Sequence, residues 1–312
     1  MVNWNFEETH PAIRMIKHFV ATNKIPHAIL LVGAKGTGRL KLAQLFAKTL
    51  NCERLPKPCN SCSTCSRIDR SVDFDVQELK ISESNQKILI EQVREFERRA
   101  VLTTTSGKYK VAIIPQAESL TTGAANAFLK TLEEPPPMTK MILISPTIHD
   151  LPSTITSRCS VIRLPAVSDK EIDMALDSQA KSLPPGHRDL IKRFSEGRID
   201  WALKMACNTN LISELVDLLE EFDSALSGDI VSKMELANKL GDDRQAAHEA
   251  LNTLALKLAD EMRIARKDGA SQSLANYRLW HKNTTRLDQA CLAISSNTML
   301  KPTLENLFLG IS

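Results

Sequence analysis

The sequence predicts an α/β domain built on a parallel sheet, followed by regions that are entirely helical. Short apolar runs alternate with helical patterns over the first 165 residues, and strand patterns stop beyond that point. Such alternation indicates a parallel sheet with crossover helices. The predicted strands cover residues 28–32, 75–79, 109–114, 141–145 and 160–164.

Apolar residues at helical spacing predict two helices between these strands, because they recur three or four positions apart. They are Leu89, Val93, Phe96 and Ala100 in one helix, and Ala125, Phe128, Leu129 and Leu132 in the other. Three prolines at 135–137 end the second helix, since proline lacks an amide hydrogen. The same spacing recurs after residue 207. We therefore expect an α/β domain over 1–165, a small helical domain over 166–207 and a helical bundle over 208–312.

Composition limits the class of protein. With 312 residues and 43% hydrophobic content, the chain can fill ordinary cores and is neither a disordered tail nor a disulfide-stapled miniprotein. The net charge is +3, with a basic first half and an acidic second half, which permits contact with phosphate backbones but fits an ordinary solvated surface equally well. The sequence has no apolar run of membrane-spanning length and no signal-peptide pattern, so we expect a cytoplasmic protein with reduced thiols and no membrane partner.

A glycine-rich loop follows the first strand, over residues 33–40. A phosphate-binding loop has the form G-x-x-x-x-G-K-[ST], in which backbone amides and the Lys contact phosphate and the Ser or Thr holds Mg²⁺. Gly33, Gly36 and Gly38 fit this pattern, but Arg39 and Leu40 stand in the last two positions. A broad guanidinium replaces the compact ammonium, and Leu40 offers no metal ligand.

The carboxylates that complete a nucleotide site are also missing. They would follow the strand at 109–114, where the chain reads Pro115-Gln116-Ala117 and Glu118 comes two residues late. The loop is therefore interpreted as a degenerate remnant of a nucleotide site, with a simple glycine turn as the alternative. We expect no ATP hydrolysis.

Four cysteines, Cys52, Cys59, Cys62 and Cys65, lie within 14 residues. Four thiolates with two-residue gaps can complete a tetrahedral structural zinc site. An iron–sulfur cluster is the rival, but the ferredoxin run needs a further Cys followed by Pro, and Ser66 to Asp69 supply neither. The remaining three cysteines are dispersed, and we expect them to be ordinary buried thiols.

Two further segments resemble one family. The run NAFLKTLEEPP, at 126–136, resembles the signature of bacterial sliding-clamp loaders, and Ser157-Arg158-Cys159 resembles their Ser-Arg-Cys motif. This resemblance covers most of residues 25–165. It implies an AAA+ type P-loop domain with a zinc module inserted at 52–65, a helical lid and a C-terminal collar that assembles subunits.

Within that family the degenerate loop resembles the delta-prime class of subunits of DNA polymerase III rather than the gamma/tau ATPases. The resemblance implies that Arg158 is an arginine finger supplied in trans to a neighbouring ATPase subunit. It also implies gamma/tau and delta subunits as partners, with the sliding clamp and primed DNA in the same complex. A sensing Arg expected near Gly197 is absent, and Asp200 stands in its place.

Three alternatives stay open from the sequence. The chain could be an active ATPase of gamma/tau type, or a zinc-dependent nucleic-acid-binding protein with a vestigial P-loop. For Arg158 alone, an ordinary surface or salt-bridged arginine is the plain alternative. Asn126 and Lys130 lie off the apolar face of their predicted helix. They are interpreted either as solvent-exposed residues or, as the resemblance implies, as candidates for contacts with another subunit.

Overall fold

The structure is a computed structural model that describes residues 10–81, 87–105, 107–179, 183–267, 274–296 and 298–311. Residues 1–9, where the sequence lacks a signal-peptide pattern, lie outside this description. The chain divides into two compact units. The first contains the described residues up to Gln179 together with Glu196–Leu203, and the second contains those from 183 to Ser195 and from Lys204 onward.

The first unit contains the predicted parallel sheet. Its strands are β1 (Ala28–Val32), β2 (Val76–Glu78), β3 (Lys110–Ile114), β4 (Thr139–Ser145) and β5 (Ser160–Arg163). They lie in the order β2-β3-β4-β1-β5, and each neighbouring pair is parallel. The sequence prediction is confirmed for all five strands, although β2 is shorter than expected and β4 begins two residues earlier.

Helices cover both faces of this sheet. They are α1 (Pro11–Ala21), α2 (Arg39–Asn51), α3 (Ser63–Asp69), α4 (Ile90–Ala100), α5 (Thr122–Glu133), the short α6 (Ser153–Thr156) and α7 (Asp169–Gln179). Successive β1 side chains alternate between two cores, so Ile29 and Leu31 pack with α1 and α2, whereas Leu30 packs with α4 and α5. Burial on both faces explains why the strands read as continuous apolar runs.

The described residues of the second unit form helices joined by short connections. It contains α8 (Pro185–Ser195), α10 (Thr209–Ser227), α11 (Ile230–Leu240), α12 (Arg244–Lys267), α13 (Leu274–Ser295) and α14 (Leu300–Gly310), and α9 (Ile199–Ala206) precedes α10 in the chain. Phe222 and Phe308 meet in its core with ring centroids 6.5 Å apart. No helix in the described part of the chain is both long and apolar enough to cross a membrane.

Candidate functional site

The glycine-rich loop joins β1 to α2, which begins at Arg39. Gly36 and Gly38 have φ angles of +89° and +83°, and Gly38 is the N-cap of the helix. This left-handed region favours glycine because a Cβ atom would clash with the backbone there. The two glycines are therefore required by the backbone of the loop itself.

Gly33 meets a different requirement. A Cβ atom placed on it would lie 2.4 Å from the carbonyl oxygen of Leu164, just beyond β5. Real side chains do not approach a backbone oxygen so closely, so only glycine lets the loop pass this strand. The glycine pattern thus persists for packing reasons that do not depend on a bound phosphate.

Arg39 is buried, with 9% of its surface exposed. Burial lowers the pKa of Arg39 from its ordinary value, and the nearby carboxylates of Glu118 and Asp200 partly offset that shift. Its Nη1 is buried without a hydrogen-bond partner among the residues that the structure describes. The guanidinium in the Lys position of the loop is thus surrounded by protein and faces negative side chains.

The loop also lacks an oxygen directed at a metal. Leu40 is half-buried and packs against the core that contains α1 and α2. The hydroxyl group of Thr37 is the oxygen-bearing side chain of the loop, and it donates a hydrogen bond to the carbonyl oxygen of Ala34 at 2.9 Å. Neither residue therefore presents the Mg²⁺ ligand that a complete phosphate loop has.

Glu118 lies in a single 3-10 turn after β3. Burial raises the pKa of Glu118, and nearby Asp150 adds to the rise, while Arg39 and a hydrogen bond with Ser145 oppose it. The sequence placed this residue two positions too late for a nucleotide site. The turn nevertheless brings its carboxyl group close to Arg39, a proximity that the linear spacing concealed.

The segment at 197–201 contacts the loop directly. The backbone N–H of Asp200 donates to the carbonyl oxygen of Gly36 at 2.8 Å, and the Asp200 carboxylate pairs with Lys41 Nζ at 3.1 Å. The aliphatic stem of Arg198 lies over Gly36, and its guanidinium carbon is 5.4 Å from the centre of the Trp201 ring. An acidic residue therefore stands beside the loop where the family resemblance implies a cation.

Arg158 follows α6, and its side chain is 36% exposed. Its Nη1 donates to the carbonyl oxygen of Thr154 at 2.8 Å, and its Nη2 donates to Glu133 Oε1 at 2.6 Å. Glu133 is the last residue of α5 and belongs to the 126–136 signature. The two motifs that carry the family resemblance therefore meet in one exposed ion pair, which sequence reasoning did not anticipate.

The four predicted cysteine ligands converge after α2. Their Sγ atoms all lie within 4.8 Å of one another, and those of Cys52 and Cys62 are 4.0 Å apart. Tetrahedral zinc with Zn–S bonds of about 2.3 Å requires sulfur atoms roughly 3.8 Å apart. The arrangement fits such an ion without a large rearrangement, and it supplies four protein ligands. A zinc bound there would be structural.

Backbone amides support this cysteine cluster. The N–H groups of Cys59, Cys62 and Cys65 donate to the sulfur atoms of Cys52, Cys59 and Cys62 at 3.3–3.4 Å. Hydrogen bonds led by the backbone N–H of Ser61 lower the pKa of Cys59 to about 6, whereas burial raises that of Cys65. Donors of this kind stabilise the thiolate form that a metal requires.

The remaining cysteines lie outside this cluster. Cys159 and Cys291 are partly buried, and burial raises the pKa of the Cys159 thiol to about 12. Cys207 is exposed, so the expectation that all three are buried was wrong for this residue. It lies in the short connection between α9 and α10.

A family model described as "DNA polymerase III, delta subunit" matches residues 9–168, more than half of the chain. The chain belongs to this family. The match spans the glycine-rich loop, the cysteine cluster and Arg158. These three features are therefore those of a domain of the DNA polymerase III clamp-loader family.

Individual relatives in this DNA polymerase III family carry more than one subunit name. The tau subunit of Bacillus subtilis (strain 168) is 31% identical over 251 residues, which are 77% of this chain and 44% of that protein. The delta' subunit of the same organism is 31% identical over 181 residues, which are 57% of this chain and 54% of that protein. The chain spans about half the length of these two relatives.

A solved structure shares the fold of this DNA polymerase III family member. It is a DNA polymerase III gamma subunit-related protein from Thermotoga maritima, with a TM-score of 0.51 and 19% identity, and the match covers 94% of this chain and 97% of that chain. At this level of identity the likeness concerns the fold alone.

Proposed function

We propose that this chain is a non-hydrolysing subunit of the DNA polymerase III clamp loader, of the delta-prime type. The observation that carries the proposal is the composition of the remnant loop. Arg39 is buried beside two carboxylates, and Leu40 packs into the core where a metal-binding hydroxyl belongs. A loop of this composition lacks both the phosphate-directed ammonium and the Mg²⁺ ligand that hydrolysis needs.

The catalytic contribution of the chain is Arg158, acting in trans on a nucleotide bound by a neighbouring gamma/tau subunit. A guanidinium placed at the γ-phosphate offsets the charge that develops during transfer, and such a finger contributes about 10³–10⁵ in rate. The exposure of Arg158 makes it available to a partner, and Glu133 and Thr154 hold its side chain in a defined orientation. In the complex, phosphate oxygens take over the position of the Glu133 carboxylate.

The proposed complex contains gamma/tau and delta subunits and acts in the cytoplasm on the sliding clamp and primed DNA. The helical second unit supports this role by serving as the collar through which subunits assemble. Cys52, Cys59, Cys62 and Cys65 hold a structural zinc ion, which stabilises a module inserted after α2. The nucleotide chemistry takes place on the partner subunits. The division into domains at 165 and 207 is part of this proposal.

A gamma/tau type ATPase is the second candidate, because the tau subunit of Bacillus subtilis is 31% identical over 77% of this chain. Steady-state turnover of MgATP by the purified full chain separates the two. We expect none above background, with and without primed DNA. Turnover of MgATP above background would replace the first proposal with the second.

The trans role is tested with Arg158→Ala in a clamp loader reconstituted from all of its subunits. Arg163→Ala is the matched control, because Arg163 is an exposed arginine five residues away on β5. We expect intact assembly in both cases and a loss of clamp-stimulated ATPase only in Arg158→Ala. Equal ATPase and clamp loading in the two variants would remove Arg158 from the mechanism.

A further inference from the structure

We propose that Asp200 excludes nucleotide from the remnant loop, in addition to the loss of the phosphate-binding residues within the loop itself. This inference rests on the proposed function, since it concerns why this subunit leaves ATP to its neighbours. Asp200 lies outside the loop in the sequence, 160 positions after Leu40. The ligand excluded is the triphosphate group of a nucleoside triphosphate.

Asp200 is held against the glycine-rich loop by its backbone. Its backbone N–H donates to the carbonyl oxygen of Gly36 at 2.8 Å, so the residue is fixed at the centre of the loop. The stem of Arg198 lies on the same glycine, with its Cβ 3.2 Å from the position that a Gly36 Cβ would occupy. Segment 198–200 is therefore held against the loop by backbone geometry that does not depend on the Asp200 carboxylate.

The charges around the loop also oppose a phosphate ligand. The Asp200 carboxylate pairs with Lys41 at 3.1 Å and acts on Arg39, which Glu118 also faces. The two cations that flank the first turn of α2 are thus matched by two carboxylates. A triphosphate that entered the loop would have to compete with these carboxylates for the two cations. It would also approach the negative charge of Asp200. The Asp200 side chain is 33% exposed and that of Lys41 is 49% exposed, so water screens part of this repulsion, but at a separation of a few ångströms it still disfavours a polyanion.

Repair of the loop alone is then insufficient. Replacing Arg39 by Lys and Leu40 by Thr restores the loop pattern, but Asp200 still pairs with Lys41 and stays beside the phosphate position. Asp200→Asn removes the negative charge while keeping the side-chain size and the backbone hydrogen bond to Gly36. The increase in affinity for MgATP that this change brings in the repaired loop measures the exclusion by Asp200 directly.

The experiment titrates MgATP by calorimetry into the full chain, into Arg39→Lys/Leu40→Thr, and into the same double variant with Asp200→Asn. Glu196→Gln in the double variant is the control, because Glu196 is an exposed carboxylate four residues before Asp200. We expect no binding by the wild-type chain and at least about tenfold tighter binding with Asp200→Asn than without it. We expect no increase in affinity for MgATP with Glu196→Gln.

Equal affinity with and without Asp200→Asn, an equal gain from Glu196→Gln, or no binding by the triple variant would each overturn the role of Asp200. Thermal denaturation checks that every variant is folded. If the double variant is unfolded, the comparison is made on Leu40→Thr with and without Asp200→Asn, which leaves Arg39 in place. Binding of MgATP by the wild-type chain without turnover would also overturn the role of Asp200, whereas turnover of MgATP by the wild-type chain would refute the proposed function, so the two failures are distinguishable.

Discussion

Cys62 offers a sharp test of the metal site, because its sulfur atom has two separable roles. It is one of the four proposed zinc ligands, and it also accepts the backbone N–H of Cys65 at 3.4 Å, which caps the start of α3. Serine is a favoured N-cap residue but a poor replacement for a thiolate on zinc. Cys62→Ser therefore removes the metal role and preserves the cap, whereas Cys62→Ala removes both.

The expected magnitudes follow from these two roles. Structural zinc binds with an apparent free energy of about 10–16 kcal/mol in small zinc modules, so the loss of one thiolate should abolish stoichiometric zinc in both variants. In metal-free protein, Cys62→Ala should be less stable than Cys62→Ser by about 1 kcal/mol, the usual contribution of an N-cap. The difference between the two variants reports the cap alone.

Zinc is measured by atomic emission after dialysis against metal-free buffer, and stability is measured by urea denaturation after the metal has been removed with a chelator. Cys207→Ser is the control, because Cys207 is exposed and lies outside the cluster, and this variant should keep its zinc. A full complement of zinc in Cys62→Ser would refute the four-ligand assignment. Equal stability of the two Cys62 variants would refute the capping argument.

Three further predictions concern stability and are measured by urea denaturation. Gly33→Ala should destabilise the nucleotide-free chain by about 1–3 kcal/mol through the clash beyond β5, and an unchanged midpoint would contradict that packing argument. Asp75→Asn should cost about 3–5 kcal/mol because it leaves buried Lys110, now 2.7 Å from the carboxylate, without its counter-charge. Burial alone would raise the pKa of Asp260, but hydrogen bonds led by Arg193 hold it below its ordinary value. Its stabilising effect is therefore present at neutral pH and lost as pH falls through that lowered pKa, so Asp260→Asn should destabilise at pH 7 and the difference from wild type should shrink as the pH is lowered into the acid range; a difference that does not change with pH would refute the assignment.

The fold was predictable from the sequence where the signal is local. Each strand buried on both faces is a short apolar run, and the loop glycines and clustered cysteines have fixed spacings. The limits of β2 were less predictable, because they depend on contacts made elsewhere. Asp75 was expected in the strand, but its carboxylate accepts hydrogen bonds from the backbone N–H groups of Thr105 and Gly107. The residue therefore stabilises the neighbouring loop.

The candidate site was predictable only in part, for a related reason. The departures at Arg39 and Leu40 are visible in the linear pattern. The carboxylates that face Arg39 come from positions 118 and 200. The spacing of residues along the sequence does not indicate that these positions come close to Arg39 in the fold. Glu133 likewise reaches Arg158 across 25 residues. A buried cation demands counter-charges, but only the folded chain identifies which carboxylates provide them.

Helix α2 links two features that perform unrelated chemistry. Its first residue belongs to the glycine-rich loop, and Cys52 follows its last residue, Asn51, whose side chain bonds to the backbone of Lys108 and Tyr109. Thirteen helical residues separate these ends by about 20 Å. Substitutions that far apart usually act additively. Changes to the glycine-rich loop at one end of this helix should therefore leave the geometry of the cysteine cluster at the other end unaltered.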